Sequence, residues 1–161
     1  MGKLTSMAGA LRVAQKARRA GKCVVSTNGY FDILHVGHVR YLAAAKKLGD
    51  VLIVGINSDT SARVNKAFSR PITPARERAH ILAALECVDH VFIFPGRTPF
   101  SWIKKFRPDV HVKGGGKDVL LHPDFPEMKK TVEQAGGRLV LVAHTPEHST
   151  SAIIRKIRGM S

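Results

Sequence analysis

The chain has 161 residues, of which 44% are hydrophobic and 24% are charged, and this composition is typical of one globular domain. It carries 26 Lys and Arg against 12 Asp and Glu, a formal net charge of +14. No apolar run approaches the roughly 20 residues that cross a bilayer, and no apolar segment follows the basic N-terminus, so we expect neither a membrane span nor a secretory signal. Cys23 and Cys87 lie in apolar runs, which is typical of buried thiols in the cytoplasm rather than of a disulfide or a metal site.

The N-terminal segment 1–22 contains six basic residues and no acidic residue. Its pattern predicts a helix over residues 6–20 that ends at Gly21. We therefore divide the chain into a basic N-terminal helix or arm, 1–22, and a main domain, 23–161. The basic excess fits a solvated face, a nucleic acid or a small polyanionic substrate. Because aromatic residues make up only 6% of the chain, which is few for base stacking, nucleic acid is the less favoured partner.

Strand and helix patterns alternate along the main domain. Five apolar runs predict strands over 23–27, 51–56, 88–94, 109–112 and 139–143. The predicted helices cover 38–48, 58–66, 74–87, 98–106 and 124–135, with a last helix that ends at Ile157. Thr73 is the predicted N-cap of the helix over 74–87. Near-continuous Val, Ile and Leu runs separated by helices are typical of a parallel sheet that is covered on both faces. The predicted fold class is α/β, a three-layer Rossmann-like sandwich with a five-stranded parallel sheet.

In such sheets, ligands bind beyond the carboxyl ends of the strands. The loop after the first predicted strand ends in His35-Val36-Gly37-His38, at the start of a predicted helix. A helix N-terminus binds phosphate well, and Gly37 allows the backbone to approach it closely. Two imidazoles there can donate hydrogen bonds to oxygens that gain charge during phosphoryl transfer. The alternative is two incidental histidines.

The same loop and the next helices offer further candidates. Gly29 would allow a tight turn after the strand, and Asp32 could meet a metal ion or a substrate hydroxyl, although aspartate is also a common turn residue. Lys46 follows His38 by eight residues, which places both on one helix face, and it is either a phosphate ligand or a solvated lysine. Arg70 lies in a loop where it could hold a phosphate tail. Weaker candidates, which also fit caps or surface charges, are Ser58, Asp59, Arg76 and Arg78.

Two later loops add possible anion sites. Lys113 precedes Gly114-Gly115-Gly116, a glycine-rich segment that can form an anion-binding nest but lacks the spacing of a Walker A loop. Ser149-Thr150-Ser151 opens the last predicted helix, where one hydroxyl caps the helix and the others could contact phosphate. No nucleophile–base pair stands out. Several anion-binding devices without such a pair favour phosphoryl transfer, which depends on positioning and charge stabilisation.

Four stretches of the chain carry a family resemblance. They are STNGYFDILHVGHVRYLAAAKKLGDVLIVGINSD, RPITPARERAHILAALECVD, RPDVHVKGG and HSTSAIIRKIR. The first resembles the nucleotidylyltransferases that share the His-x-Gly-His motif with class I aminoacyl-tRNA synthetases. Taken together, the four most resemble the bacterial D-glycero-β-D-manno-heptose 1-phosphate adenylyltransferases, which make ADP-heptose for lipopolysaccharide.

The resemblance implies a stand-alone cytoplasmic enzyme that transfers AMP from ATP, with Mg²⁺, to heptose 1-phosphate and releases pyrophosphate. Its catalytic residues would be His35, His38 and Lys46. Its nucleotide-binding residues would be Asn28, Gly29, Tyr30, Phe31, Gly37, His38, Arg70, Ser149, Thr150 and Ser151. Its substrate-binding residues would be Asp32, Lys113 and Gly114. Asp32 would lie near the metal, which the phosphates would bridge, and the family implies a homo-oligomer, a dimer or higher.

Some features depart from the family pattern and leave alternatives open. The family often has Cys at Tyr30 and Asp at Gly116, and residues 144–150 lack the Arg and Gly of the glycerol 3-phosphate cytidylyltransferases. The open alternatives are that cytidylyltransferase, another His-x-Gly-His nucleotidylyltransferase, a GTP-using heptose 1-phosphate guanylyltransferase, a protein that only binds nucleotide, and a nucleic-acid-binding module. The choice among ATP, GTP and CTP and the anomer of the sugar phosphate also stay open.

Overall fold

A parallel sheet of six strands lies at the centre of the computed structural model, which describes residues 3–66, 70–115, 117–143 and 149–160. The strands are β1 Lys3–Leu4, β2 Val24–Gly29, β3 Val51–Asn57, β4 His90–Phe94, β5 Val110–Gly114 and β6 Arg138–Val142. The five predicted strands are β2 to β6, and the parallel sheet is confirmed. The sequence analysis did not find β1, because two residues are too short to show a strand pattern.

Helices connect the strands and cover both faces of the sheet. They are α1 Met7–Arg19, α2 Val36–Lys46, α3 Asp59–Lys66, α4 Ala75–Ala83, α5 Phe100–Phe106, α6 Lys117–Leu120, α7 Phe125–Gln134 and α8 Thr150–Arg158. The single-turn helix α6 was not predicted. Among the described residues, no helix has both the length and the apolar character that crossing a membrane requires.

The order of the strands in the sheet is β1-β4-β3-β2-β5-β6. From the central β2 the chain moves first towards β3 and β4, and later crosses to β5 and β6 on the other side. The switch point therefore lies between β2 and β5, which pair with Thr27 opposite Val112. Loops that leave neighbouring strands in opposite directions open a crevice between them, so a ligand site is expected there.

Two separate cores confirm the three-layer arrangement. One face of the sheet packs against α2 and α4, through side chains such as Leu42 and Leu82. The other face packs against α1, α5 and α7, through side chains such as Ala14, Trp102 and Val132.

Helix α1 lies against the sheet and against α5. Its buried residues are Gly9, Ala10, Ala14 and Ala17, and these small side chains allow close contact with the sheet. Near its C-terminal end, Arg18 Nη2 donates to the carbonyl oxygens of Phe106 at 2.5 Å and Arg107 at 2.6 Å. The predicted helix is thus present, while the domain boundary after residue 22 stays a prediction.

Helix α4 begins differently from the prediction. Its N-cap position is Pro74, which makes no side-chain cap bond, so the assignment of Thr73 as the cap is wrong. The N–H of Ala75 instead donates to Asp59 Oδ1 at 2.8 Å. A carboxylate sixteen residues earlier therefore satisfies the helix end and ties α4 to α3.

Candidate functional site

The carboxyl ends of β2 and β5 form a wall between two adjoining clefts. Asn28, Gly29, Tyr30 and Lys113 line both of them. The first cleft, of about 150 Å³, is also lined by Phe31, Gly37, His38, Tyr41, Gly114 and Ala143. The second, of about 440 Å³, is also lined by Asn57, Arg97, Thr98, Pro99, Val119, His122, Asp124, Phe125 and Met128. Two ligands could thus approach each other across residues that the sequence analysis had singled out.

The two histidines lie at the start of α2, as predicted. His35 occupies the N-cap position in extended backbone, and its carbonyl oxygen accepts from the N–H of His38 at 2.9 Å. The first N–H groups of a helix have no intrahelical acceptor and point towards its N-terminal end, where they can bind an anion. The two imidazole rings stack on each other, and the ring of Phe31 meets that of His38 edge-on at 5.1 Å.

A close contact in the loop before α2 requires a glycine. A Cβ atom at Gly29 would lie 2.9 Å from the ring of Phe31, closer than side chains normally pack. Phe31 itself has a φ of 48°, in the left-handed region that L-residues rarely adopt. Phe31 is only 6% exposed, and the packing around it holds this strained residue in place beside His38.

Asp32 and Arg70 lie beside the site but bind each other. Arg70 Nη1 donates to Asp32 Oδ2 at 2.7 Å. The other oxygen, Oδ1, accepts from the N–H groups of Ile72 and Thr73 at 2.8 and 2.9 Å. Asp32 is only 8% exposed, so it fastens the loop that contains Arg70 to the loop after β2. The predicted contacts of Asp32 with substrate and of Arg70 with phosphate stay predictions.

Arg78 is buried and is not the surface charge that its sequence position allowed. It is 1% exposed. Its Nε donates to the carbonyl oxygen of Thr73 at 2.8 Å, and its Nη1 donates to that of Tyr30. Its Nη2 donates to the carbonyl oxygen of Asn57 at 3.0 Å and to Asp59 Oδ1 at 2.8 Å. One guanidinium thus joins the ends of β2 and β3 to α4.

Lys113 and Tyr41 support the shared wall from the β5 side. Lys113 Nζ lies 3.5 Å from Asn28 Oδ1. The hydroxyl of Tyr41 donates to the carbonyl oxygen of Val112 at 2.9 Å, and burial raises the pKa of this phenol. The Tyr41 ring packs against Gly114, where a Cβ atom would lie 3.0 Å from it. The sequence analysis missed Tyr41, although its position three residues after His38 puts it on the same side of α2.

The N-terminus of α8 reaches the loop that precedes His35. Ser149 Oγ accepts from the N–H of Ala152 at 3.1 Å, which confirms a hydroxyl cap. Thr150 Oγ1 donates to the carbonyl oxygen of Ile33 at 3.4 Å. The predicted phosphate contacts of residues 149–151 stay predictions. Gly116 and residues 144–148, at which the sequence departs from the patterns of related families, lie outside the described residues.

The structure does not bring Lys46 to either cleft. Its Nζ donates to Asp89 Oδ2 at 2.6 Å and to the carbonyl oxygen of Asp50 at 2.5 Å. Asp50 and Asp89 directly precede β3 and β4, so Lys46 lies at the amino ends of the strands, opposite the clefts. The expectation that Lys46 would hold phosphate is therefore wrong.

A family model and several known proteins match the chain. The model described as cytidylyltransferase-like matches residues 26–156. The bifunctional protein HldE of Syntrophotalea carbinolica is 49% identical over 145 residues, which is 90% of this chain and 29% of that protein. The bifunctional protein HldE of Geobacter sulfurreducens is 51% identical over 144 residues, 89% of this chain and 28% of that protein. The chain thus spans less than a third of the length of these relatives.

A solved structure is also similar. It is titled as the lipopolysaccharide core biosynthesis protein of Thermoplasma volcanium. It superposes with a TM-score of 0.63 at 29% sequence identity, over 78% of this chain and 98% of that one.

Proposed function

The chain belongs to the cytidylyltransferase-like family and is a nucleotidyltransferase, and on that premise we propose that it transfers AMP from ATP to D-glycero-D-manno-heptose 1-phosphate. The products are ADP-heptose and pyrophosphate. The observation that carries the proposal is the pair of clefts that share Lys113 and the segment from Asn28 to Tyr30. A transfer between two phosphorylated substrates needs both of them in reach of one point, and this wall is such a point.

The nucleotide occupies the first cleft, with its phosphates against the start of α2. Gly29 and Gly37 allow the backbone to approach it closely, and His35 and His38 donate hydrogen bonds to its phosphate oxygens. The hydroxyls at the start of α8 offer further phosphate contacts. These arrangements suit a reaction whose barrier falls mainly through positioning and charge stabilisation.

The acceptor occupies the second cleft, with its phosphate directed at Lys113. An oxygen of that phosphate attacks the α-phosphorus of ATP, the bond to the β-phosphate breaks, and pyrophosphate leaves with the bonding electrons. Lys113 and the two imidazoles offset the negative charge that gathers on the transferring group.

Mg²⁺ enters with the nucleotide in this proposal. Among the described residues there is no cluster of three or more His, Cys, Asp or Glu side chains arranged to hold a metal ion. Both oxygens of Asp32 already accept from protein donors. In this proposal the phosphate oxygens of ATP would hold the ion, and the ion would neutralise phosphate charge.

The choice of heptose rests on the family resemblance of the sequence. The similarity to the two HldE proteins and to a protein titled for lipopolysaccharide core biosynthesis supports the same choice. A homo-oligomer also stays a proposal, and light scattering during gel filtration tests it.

The test measures pyrophosphate release by the purified chain with Mg²⁺. ATP, GTP and CTP are each combined with the α and β anomers of heptose 1-phosphate and with glycerol 3-phosphate, and products are identified by mass. The proposal predicts release with ATP and one heptose anomer. The Lys113→Ala variant should lose most of this activity, while Lys47→Ala, which removes an exposed lysine outside both clefts, should retain it.

Other outcomes overturn defined parts of the proposal. Release only with CTP and glycerol 3-phosphate would keep the reaction and replace both substrates. Release with GTP and heptose 1-phosphate would replace only the nucleotide. Silence in all combinations would reject the heptose assignment.

A further inference from the structure

One amide oxygen beside the second cleft accepts no hydrogen bond from the described residues. It belongs to Asn57, at the carboxyl end of β3, which is 2% exposed, and this Oδ1 is buried with no partner in the part of the chain that the structure describes. Its Nδ2 donates to Ser61 Oγ at 3.0 Å and to the carbonyl oxygen of Gly96 at 3.5 Å. Because Ser61 Oγ donates its proton to the Gly96 oxygen at 2.9 Å, it accepts from Asn57, so the nitrogen end of the amide faces Ser61.

A buried acceptor without a donor is costly, and such atoms are rare in folded proteins. Asn57 is also one of the residues that line the second cleft. A ligand in this cleft could therefore supply the donor that the protein does not. Asn57 lies next to the wall that the two clefts share, whereas the buried His111, for example, lies inside the sheet.

We propose that Asn57 is a specificity-determining residue whose Oδ1 accepts a hydrogen bond from a hydroxyl group of the acceptor. This inference rests on the proposed function, since it assumes that the acceptor lies in the second cleft. Arg97, Lys113 and His122 also line the cleft, against the single carboxylate of Asp124. A cleft with these basic side chains favours a phosphorylated ligand and disfavours a cationic one, so the donor that fits Asn57 is a neutral O–H. A polyhydroxylated phosphate ester combines both requirements.

The bond forms through a small movement of the side chain. Oδ1 is covered by the protein, so the amide has to turn towards the cleft before a hydroxyl can reach it. The contact between Nδ2 and Gly96 opposes this movement only weakly, because 3.5 Å is at the outer limit of a hydrogen bond. Ser61 Oγ also donates to the same Gly96 oxygen at 2.9 Å and keeps it satisfied.

The test compares two variants of the full chain, Asn57→Ala and Ser61→Ala. Both remove the link between Asn57 and Ser61, but only Asn57→Ala removes the oxygen. We expect Asn57→Ala to raise the KM for heptose 1-phosphate about tenfold while the KM for ATP changes less than about twofold. Ser61→Ala should leave both values within about twofold. Inhibition by inorganic phosphate, which has no sugar hydroxyl, should be the same in all three proteins.

Several results would overturn the inference. An unchanged acceptor KM in Asn57→Ala would do so, and so would an equal rise in Ser61→Ala, which would indicate a structural role in the Gly96 loop. Melting temperatures of both variants identify a folding defect. If Asn57→Ala does not fold, Asn57→Ser, which keeps a polar side chain too short to reach the acceptor, replaces it in the same comparison.

Failure of the proposed function is distinguished by binding. If the wild-type protein transfers AMP to no heptose phosphate, calorimetry measures the Kd of four ligands. These are heptose 1-phosphate, mannose 1-phosphate, glycerol 3-phosphate and, as the reference, inorganic phosphate. A sugar or polyol phosphate that binds more tightly than inorganic phosphate, and loses that advantage in Asn57→Ala, supports the inference without the heptose assignment. Equal binding of all four ligands, or an advantage that survives the substitution, rejects it.

Discussion

The imidazole rings of His35 and His38 lie stacked, with 3.8 Å between their centroids and an interplanar angle of 24°. Two rings that face each other so closely can direct their edges at one neighbouring group. An anion placed at those edges could accept a hydrogen bond from each ring. In the proposed function, both rings donate hydrogen bonds to the transferring phosphate.

The histidine pair should act mainly on the transition state. We expect His35→Ala and His38→Ala each to lower kcat by about 100-fold or more, with a small change in the Kd for nucleotide. Single-turnover rates and fluorescence titration of nucleotide measure the two effects separately. His80→Ala, which removes an exposed imidazole on α4, is the control. Near-normal turnover in both site variants would mean that these rings take no part in the reaction.

Lys46 should contribute to stability and not to turnover. Asp89 Oδ2 accepts from Lys46 Nζ at 2.6 Å and from the N–H of Leu52 at 2.7 Å. Since the ion pair is about one-third exposed, Lys46→Ala should lower the free energy of unfolding by only about 0.5–1 kcal/mol. Its kcat should stay within about twofold of the wild-type value. Urea unfolding and steady-state kinetics check both, with Lys47→Ala as the control, and a large loss of kcat alone would return Lys46 to the reaction.

Arg78 should be among the residues on which folding depends most. Truncation leaves three carbonyl oxygens and Asp59 without the donors that the guanidinium supplies. We expect Arg78→Ala to lower the free energy of unfolding by about 3–5 kcal/mol, because each buried acceptor that loses its donor costs about 1–3 kcal/mol. Arg76→Ala, at an exposed position of the same helix, should change it by less than about 0.5 kcal/mol. If urea unfolding shows the same loss of unfolding free energy in both variants, this structural role of Arg78 is contradicted.

His111 should make the protein less stable in acid. It is fully buried in β5 and bonds to Ser26 Oγ at 2.8 Å, and burial, with a smaller contribution from the nearby Lys113 charge, lowers its pKa from 6.5 to about 3. Between about pH 6.5 and pH 3, His111 is therefore protonated in the unfolded chain and neutral in the folded protein. The contribution of neutral His111 to the free energy of unfolding is fully present above about pH 6.5 and is lost as the pH falls towards 3. The loss between pH 7 and pH 5 is about 2 kcal/mol.

Urea unfolding at pH 7 and pH 5 measures this loss. His111→Asn, which can still bond to Ser26, should remove that part of the pH dependence, whereas His80→Asn should retain it. An identical pH dependence in wild type and His111→Asn would assign acid sensitivity to other groups.

Local sequence signals were enough to predict five of the six strands, a helix at the His-x-Gly-His motif and a hydroxyl cap at Ser149 or Thr150. These features depend on residues close together in the chain, namely apolar runs and capping patterns. Most partners of Asp32 and Arg78 could not be predicted in this way, because they lie 19 to 48 residues away and meet only in the folded chain.

Lys46 shows a different limit. A spacing of eight residues places it on the same face as His38, but each residue also advances about 1.5 Å along a helix. The two side chains are therefore about 12 Å apart along the axis and lie at opposite ends of the sheet. Periodicity describes only the rotation about the helix axis, and the axial distance decided the position of Lys46.

The division of the site into two clefts has a consequence for how this protein could diverge. Tyr41 and Ala143 line only the first cleft, whereas Val119, Phe125 and Met128 line only the second. Substitutions in one group leave the contacts of the other unchanged. Descendants of one ancestral sequence could therefore exchange one substrate at a time, each intermediate still making the transfer across the wall that both clefts retain.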